Sequence, residues 1–108
     1  MTQETLLAML KANLEIITDY MGADAKAAKE TELLQYIQSA EAYIQREGID
    51  LAIAIDGSIP EVSDALLVVM YAGWLYDRRK DPTAVMPRML RWNLNNKLIS
   101  QKAAANES

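Results

Sequence analysis

An all-α fold, a small bundle of about four helices around a long central hydrophobic one, is predicted by three observations. Apolar residues recur at helical spacing in separate stretches of the chain. Gly22, Gly48, Pro60 and Pro87 fall where helices would stop or start. Between Pro60 and Pro87, twelve consecutive uncharged and almost wholly apolar residues, Ala65 to Tyr76 (ALLVVMYAGWLY), run straight into Arg78-Arg79-Lys80. That run falls short of the roughly 20 apolar residues needed to cross a bilayer and suits a buried helix. A helix apolar on every side must be covered on every side. A chain of 108 residues has little material for such a cover, so a neighbouring copy is expected to supply the missing wall.

The first helix carries Leu7, Leu10, Leu14 and Ile17 on one face, with Thr2 as N-cap and Glu4 at the positive end of the helix dipole. Residues 20–24, with Gly22, read as a break. A second helix starts between Asp24 and Thr31, either of which could cap it. Its apolar face is Leu33, Ile37, Ala40 and Ile44, flanked by Tyr36 and Tyr43, and Arg46 and Gly48 close it. In residues 49–59, Leu51, Ile53 and Ile55 alternate with Ala52 and Ala54 ahead of the turn residues Asp56-Gly57-Ser58. The segment near 50–58 therefore reads as an extended loop on the core, or as a short strand that pairs with a second subunit.

Pro60 suits the first position of a third helix, which runs to about Arg79 ahead of Asp81-Pro82. One stripe of it is Val62, Leu66, Val69, Gly73 and Tyr76. The other is Leu67, Tyr71, Trp74 and Arg78. Gly73 in mid-helix implies close approach of another backbone. Pro87 opens a fourth helix with Met89 or Leu90, Trp92, Leu94 and Leu98-Ile99 as apolar positions and Arg88, Arg91 and Lys97 outside. The helical domain spans 1–100, and 101–108 (QKAAANES) reads as a flexible tail.

Composition excludes several kinds of chemistry. The chain has no cysteine, hence no disulfide and no thiolate metal site, and no histidine, the usual general base and commonest metal ligand. It contains no phosphate-loop or dinucleotide glycine motif. Asp50 and Asp56 do not have calcium-loop spacing. Pairs such as Glu30/Glu32 and Glu61/Asp64 read as solvated helix starts rather than acid–base pairs. No catalytic, cofactor or metal residue is assigned and no enzyme is expected. Nothing resembles a signal peptide or membrane span, so synthesis in the cytoplasm is expected.

Charge is split along the chain. Residues 1–77 hold 4 basic and 13 acidic groups, net −9, whereas residues 78–108 hold 7 and 2, net +5. Opposite ends of this kind suit head-to-tail association or a partner of one sign. Arg78, Arg79, Lys80, Arg88, Arg91 and Lys97, near Asn93, Asn95 and Asn96, could also touch nucleic acid. Against that, helix four carries packing residues and the whole chain is acidic. Arg78 and Arg79 also serve as charged groups at the negative end of helix three.

The order of features resembles the small head–tail connector (adaptor, or head-completion) proteins of tailed bacteriophages and prophages. The likeness covers about residues 6–100. It comprises a short helix (LLAMLKANLEI, 6–16), the segment TELLQYIQSAEAYIQ (31–45), a variable loop, Ile59-Pro60 opening a hydrophobic helix that ends in LYDRR (75–79), and the proline-led MPRMLRWNLNNKLIS (86–100). Tyr76 with Arg78 or Arg79 matches the family's tyrosine–x–x–arginine ending. The resemblance implies a virion structural protein, made in the bacterial cytoplasm and located at the head–tail junction. It would assemble as a ring with the portal's symmetry, dodecameric, that extends the DNA channel after packaging. Its implied partners are other copies, the portal, further head-completion or tail proteins, and DNA contacted without specificity. The alternative is a small phage DNA-binding module of regulator or terminase small-subunit type. The expected subunit interface is Leu67, Tyr71, Trp74, Tyr76, Arg78, Arg79, Arg91 and Trp92.

Overall fold

Four helices account for about two thirds of the chain in the computed structural model, which describes residues 1–107 and the side chains of 1–105. Helix α1 spans Gln3–Asn13, and Thr2 caps it by accepting a hydrogen bond from the Thr5 N–H at 3.2 Å. It stops because Glu15 turns into the left-handed region at φ 58°, letting Ile16 N–H reach Lys11 O at 2.9 Å and Glu15 N–H reach Ala12 O at 3.2 Å. Leu6, Leu7 and Leu10 are its buried residues. Ile17, expected on the same face, lies beyond that turn and is 64% exposed.

Helix α2 spans Ala23–Arg46 and buries Leu33, Ile37, Ala40 and Ile44, as the periodicity predicts. Gly22 occupies its N-cap position without a side-chain bond, so neither Asp24 nor Thr31 caps it. Asp24 sits in the first turn instead, where its charge meets the helix dipole. Gly48 follows the C-cap at φ 98°, a conformation open to glycine at little cost, and its N–H bonds Gln45 O at 3.0 Å.

Residues 47–61 form an extended loop and no strand. Ile49, Leu51 and Ile59 are buried, and Ile53 is partly so. The loop is tied at both ends: Ile59 N–H donates to Met1 O at 2.8 Å, and the Gln101 amide brackets Asp50 with bonds of 2.8 and 2.9 Å. Ile55 at its tip is fully exposed.

Helix α3 spans Val62–Arg78. Glu61 takes the N-cap position, so Pro60 precedes the helix rather than opening it. Around Gly73 the close neighbours are side chains of α1: an added Cβ would lie 3.4 Å from Asn13 Nδ2 and 3.9 Å from Leu10 Cδ1. The close approach is real, but to side chains and not to another backbone. Helix α4 spans Arg88–Glu107, directly after Pro87. The segment expected to be a tail from residue 101 thus continues the helix as far as Glu107, held early on by the Gln101–Asp50 bonds, and Ser108 lies outside the described residues.

Contacts fix the directions of the helices. Met1 meets Ile59, Tyr43 stacks on Tyr71, Tyr36 meets Tyr76, and Lys97 reaches Asp64. Helices α1 and α3 therefore run one way and α2 and α4 the other. Helix α3 touches all three partners. The result is a slab of 53 × 34 × 18 Å, about two helix diameters thick. A slab this thin leaves broad faces, and those faces frame the search for a site.

Candidate assembly surface

Helix α3 is covered by its own chain more completely than its composition suggests. Ala65, Val68, Val69 and Ala72 are sealed by α1 and α2, with Leu6, Leu10, Leu33, Ile37 and Ile44 all at 0% exposure. Leu67 and Tyr71, two of the residues expected at a subunit interface, are also buried, at 5% and 6% exposure. The Tyr71 ring lies flat against Tyr43, with centroids 6.1 Å apart, and meets the edge of Trp74 at 5.5 Å. Burial raises the Tyr71 hydroxyl pKa, with the nearby Glu47 carboxylate adding to the effect. Tyr71 is thus held within its own chain's aromatic cluster, whereas Leu67, though mostly buried, lines the groove beside the last helix.

The other expected residues divide into two groups. At the C-terminal end of α3, cations lie on aromatic rings. Arg79 sits 4.1 Å from the Tyr76 ring centroid, Arg78 4.9 Å from Trp74, and Arg46 of α2 5.4 Å from Tyr43. Tyr76 is fixed further by the edge of Tyr36 and by Lys29, whose ammonium donates to its hydroxyl at 2.9 Å. That bond is the leading reason the Lys29 pKa is raised. Arg79 reaches Glu32 at 3.8 Å, a loose surface pair. Arg78 has no carboxylate partner among the described residues. Between these side chains lies a cleft of about 300 Å³, walled by Tyr36, Tyr43, Leu75 and Pro82, with Ser39 and the two arginines at its rim.

On α4 the two positions behave in opposite ways. Arg91 is committed inward: its guanidinium grips Glu47 through two bonds, 2.6 and 3.3 Å, which raise its pKa and pin α4 to the end of α2. Lys97 is likewise drawn in, its ammonium 2.9 Å from Oδ1 of Asp64, a carboxylate only 3% exposed. The approach is close enough for an ion pair although it is not aligned as a hydrogen bond. Asp64 is therefore not a solvated helix-start residue, and Arg91 and Lys97 are not a free basic surface. Trp92, in contrast, is 59% exposed and not packed.

Trp92 does not stand alone. Helix α4 turns Leu90 and Leu94 fully inward and leaves Met89, Trp92 and Ile99 outside. On α3, Val62 and Leu66 are exposed as well. A groove of about 400 Å³ runs between the two helices, floored by Leu66, Leu67 and Met70 and bordered by Asn93, Asn96 and Lys97. Of these exposed residues the sequence pointed to Trp92 alone as an interface position, offering Met89 or Leu90 and Leu98-Ile99 as apolar positions of the helix. The signal was present: Leu90, Leu94 and Leu98 recur every four residues on one side, while Met89, Trp92, Asn96 and Ile99 keep a second register.

Among the described residues no group of three or more acidic side chains is placed to hold a metal, and no helix is long and apolar enough to cross a membrane. No protein-family model, curated protein or solved structure matches the chain.

Proposed function

We propose that this chain is a structural assembly subunit, a head–tail adaptor that joins copies of itself into a ring between a phage portal and tail. The observation that carries the reading is the exposure of large apolar side chains on the last two helices, Val62, Leu66, Met89, Trp92 and Ile99, together with the open groove between those helices. Large apolar side chains exposed beside an open groove suit a contact with another macromolecule. The demand for an outside wall, first inferred for the middle of α3, moves to this groove. The split charge supports a heterologous contact between unlike surfaces, which closes into a ring when the rotation per subunit permits. The order of sequence features shared with connector proteins supports the same role and supplies the portal, tail proteins and channel DNA as partners. Synthesis in the bacterial cytoplasm, residence at the virion's head–tail junction and dodecameric symmetry belong to this proposal.

Light scattering on the purified chain over a concentration series tests it. Species above monomer mass are expected, and Trp92→Ser should weaken them while shifting stability by no more than about 0.5 kcal/mol, as expected for an exposed side chain. Assembly indifferent to Trp92→Ser and Met89→Ser together would remove these side chains from the argument.

A second reading, a small DNA-binding module, has one observation in its favour: Arg78, Lys80 and Arg88 are exposed and have no carboxylate within ion-pairing distance among the described residues. The commitment of Arg91 and Lys97 to Glu47 and Asp64 shrinks the basic surface it would use. Gel shifts on specific and random duplex across a salt series separate the two, since a regulator requires a specificity ratio well above one.

A further inference from the structure

The tip of the 47–61 loop and the cleft at the far end of α3 have complementary shapes and charges. Ile55 is as exposed as a side chain can be, at 109% of its reference value, although the backbone beneath it is well ordered by hydrogen bonds. Ala54 N–H donates to Ser58 O and Gly57 N–H to Ala54 O, both at 2.9 Å. Next to it, Asp56 accepts the Ser58 N–H at 2.9 Å and the Ser58 hydroxyl at 2.7 Å, both through Oδ1. Those bonds hold the Asp56 pKa below its ordinary value, so the carboxylate is ionised at neutral pH and its Oδ2 is left for an outside donor. The tip is thus a fixed knob of one branched aliphatic side chain beside one negative charge. A fully exposed isoleucine on an ordered turn does nothing for the fold of its own chain.

The cleft at the other end offers the matching features. Its walls are Tyr36 and Tyr43 with Leu75 and Pro82. At about 300 Å³ it has ample room for an isoleucine side chain, given that about 150 Å³ already admits a benzene-sized guest. At the rim Arg78 lies against Trp74, with its in-plane N–H donors uncommitted to any carboxylate. A guanidinium held against a ring keeps the fork of donors that binds a carboxylate. Helix α3 separates the two features: the loop leads into Val62, the cleft surrounds Arg78, and 17 residues of helix hold them about 25 Å apart. The knob cannot fill the cleft of its own chain.

We infer that the loop tip of one copy inserts Ile55 into the Tyr36–Tyr43–Leu75 cleft of the next copy, with Asp56 paired to Arg78. This rests on the assembly reading above and adds a direction to it: the contact is head to tail, with unlike surfaces on the two partners. It also gives the alternating Leu51-Ile53-Ile55 segment a division of labour, its first residue packed on its own chain and its last on a neighbour.

Charge reversal tests the pairing. Asp56→Arg and Arg78→Glu change exposed side chains, and circular dichroism with thermal melting verifies that each variant folds as the wild type does. Ser58→Ala, which removes one bond to Asp56 Oδ1 and keeps its charge, should leave association within about threefold of wild type. By sedimentation velocity each reversal alone should weaken self-association by about tenfold or more. Combining both in one chain should restore it to within about threefold of wild type. Mixing the two single variants should also restore it, because each introduced charge then meets its opposite on the other chain. The absence of cysteine from the natural sequence allows a second measurement. Ile55→Cys and Ser39→Cys in one chain should give an oxidised ladder of covalent oligomers, whereas Ile55→Cys with Ala8→Cys should not. Association unaffected by either reversal but lost with Trp92→Ser would overturn the knob-and-cleft contact and leave the assembly reading standing. A wild-type chain that stays monomeric at millimolar concentration, with no ladder from the cysteine pair, would overturn both.

Discussion

The two seams along α3 are built on different terms. Against α1 and α2 the helix closes through aliphatic side chains: Val68 and Ala72 on one side, Leu10, Leu33, Ile37 and Ile44 on the other, all at 0% exposure. Against α4 the closure rests on Leu90, Leu94 and one ion pair, Lys97–Asp64, with an open groove beside them, while a second pair, Arg91–Glu47, ties α4 to the end of α2. Apolar burial is worth about 25 cal/mol per Å² and needs no exact partner. An ion pair works only if both members stay, and removing one leaves a buried charge uncompensated. The first seam is therefore the stable core of the molecule. The second positions a helix and leaves an open groove beside it.

The largest expected effect lies in the first seam. Ile37→Ala removes a fully buried side chain from the α2 face and should cost about 2–5 kcal/mol. For a chain of this size that lowers Tm by roughly 8 °C or more in a thermal melt. A loss below about 1 kcal/mol would mean that α2 repacks freely, and the contrast between the seams would fail.

Much of the first seam could be read from the chain alone. Leu33, Ile37, Ala40 and Ile44 sit at helical spacing, Thr2 caps α1, and Gly48 ends α2 by a backbone conformation that glycine favours. Each of these is a local property, decided within a few residues. The seating of α4 was less legible because its decisive contacts join residues 33 and 44 positions apart, Asp64 with Lys97 and Glu47 with Arg91. Local pattern assigned Asp64, Arg91 and Lys97 to the surface, since charged residues are exposed by default. One clue was local after all. Asp64 stands one turn before Val68 and two before Ala72, on the stripe that is buried. An acid on that stripe had to find a cation. The ending of α1 misled for the opposite reason: Glu15 adopts a left-handed conformation that nothing in its side chain announces, and so the helical spacing was extended to Ile17. Of the residues expected at an interface, two are buried in the chain's own core while Trp92 is exposed. Leu67 and Tyr71 face inward, and Leu66, one residue before Leu67, faces out.

A smaller loss is expected in the second seam. Lys97→Met keeps most of the aliphatic stem and removes the charge, leaving the Asp64 carboxylate, 3% exposed, without its cation. The expected destabilisation is about 1–3 kcal/mol, reduced from that of a fully buried pair because the Lys97 side chain is 27% exposed. Denaturant unfolding measures it. The double variant Lys97→Met with Asp64→Leu should recover most of the loss, since the buried charge goes with its partner. If Lys97→Met alone were neutral, water would be solvating Asp64, and the second seam would be looser than drawn here.

The smallest effect sharpens the comparison most, because it sets a buried acid that has a partner against one that has none. Glu41 lies on α2 beside Ala40, and its Oε1 is buried without a hydrogen-bond partner. Burial alone raises its pKa above the ordinary 4.5. An acid whose pKa is higher in the folded chain than in the unfolded one supports folding only while it is protonated. Its contribution is fully present below the unfolded value and is lost as pH rises through the folded one. At neutral pH the ionised Glu41 therefore works against the fold. Glu41→Gln should raise Tm at pH 7, and that gain should shrink as pH falls and vanish below about 4.5. Thermal melts of both chains from pH 3.5 to 7.5 follow the difference directly. An equal shift at every pH would assign the change to packing, whereas a loss of stability at pH 7 would mean that Glu41 has a cation in solution, as Asp64 has in Lys97.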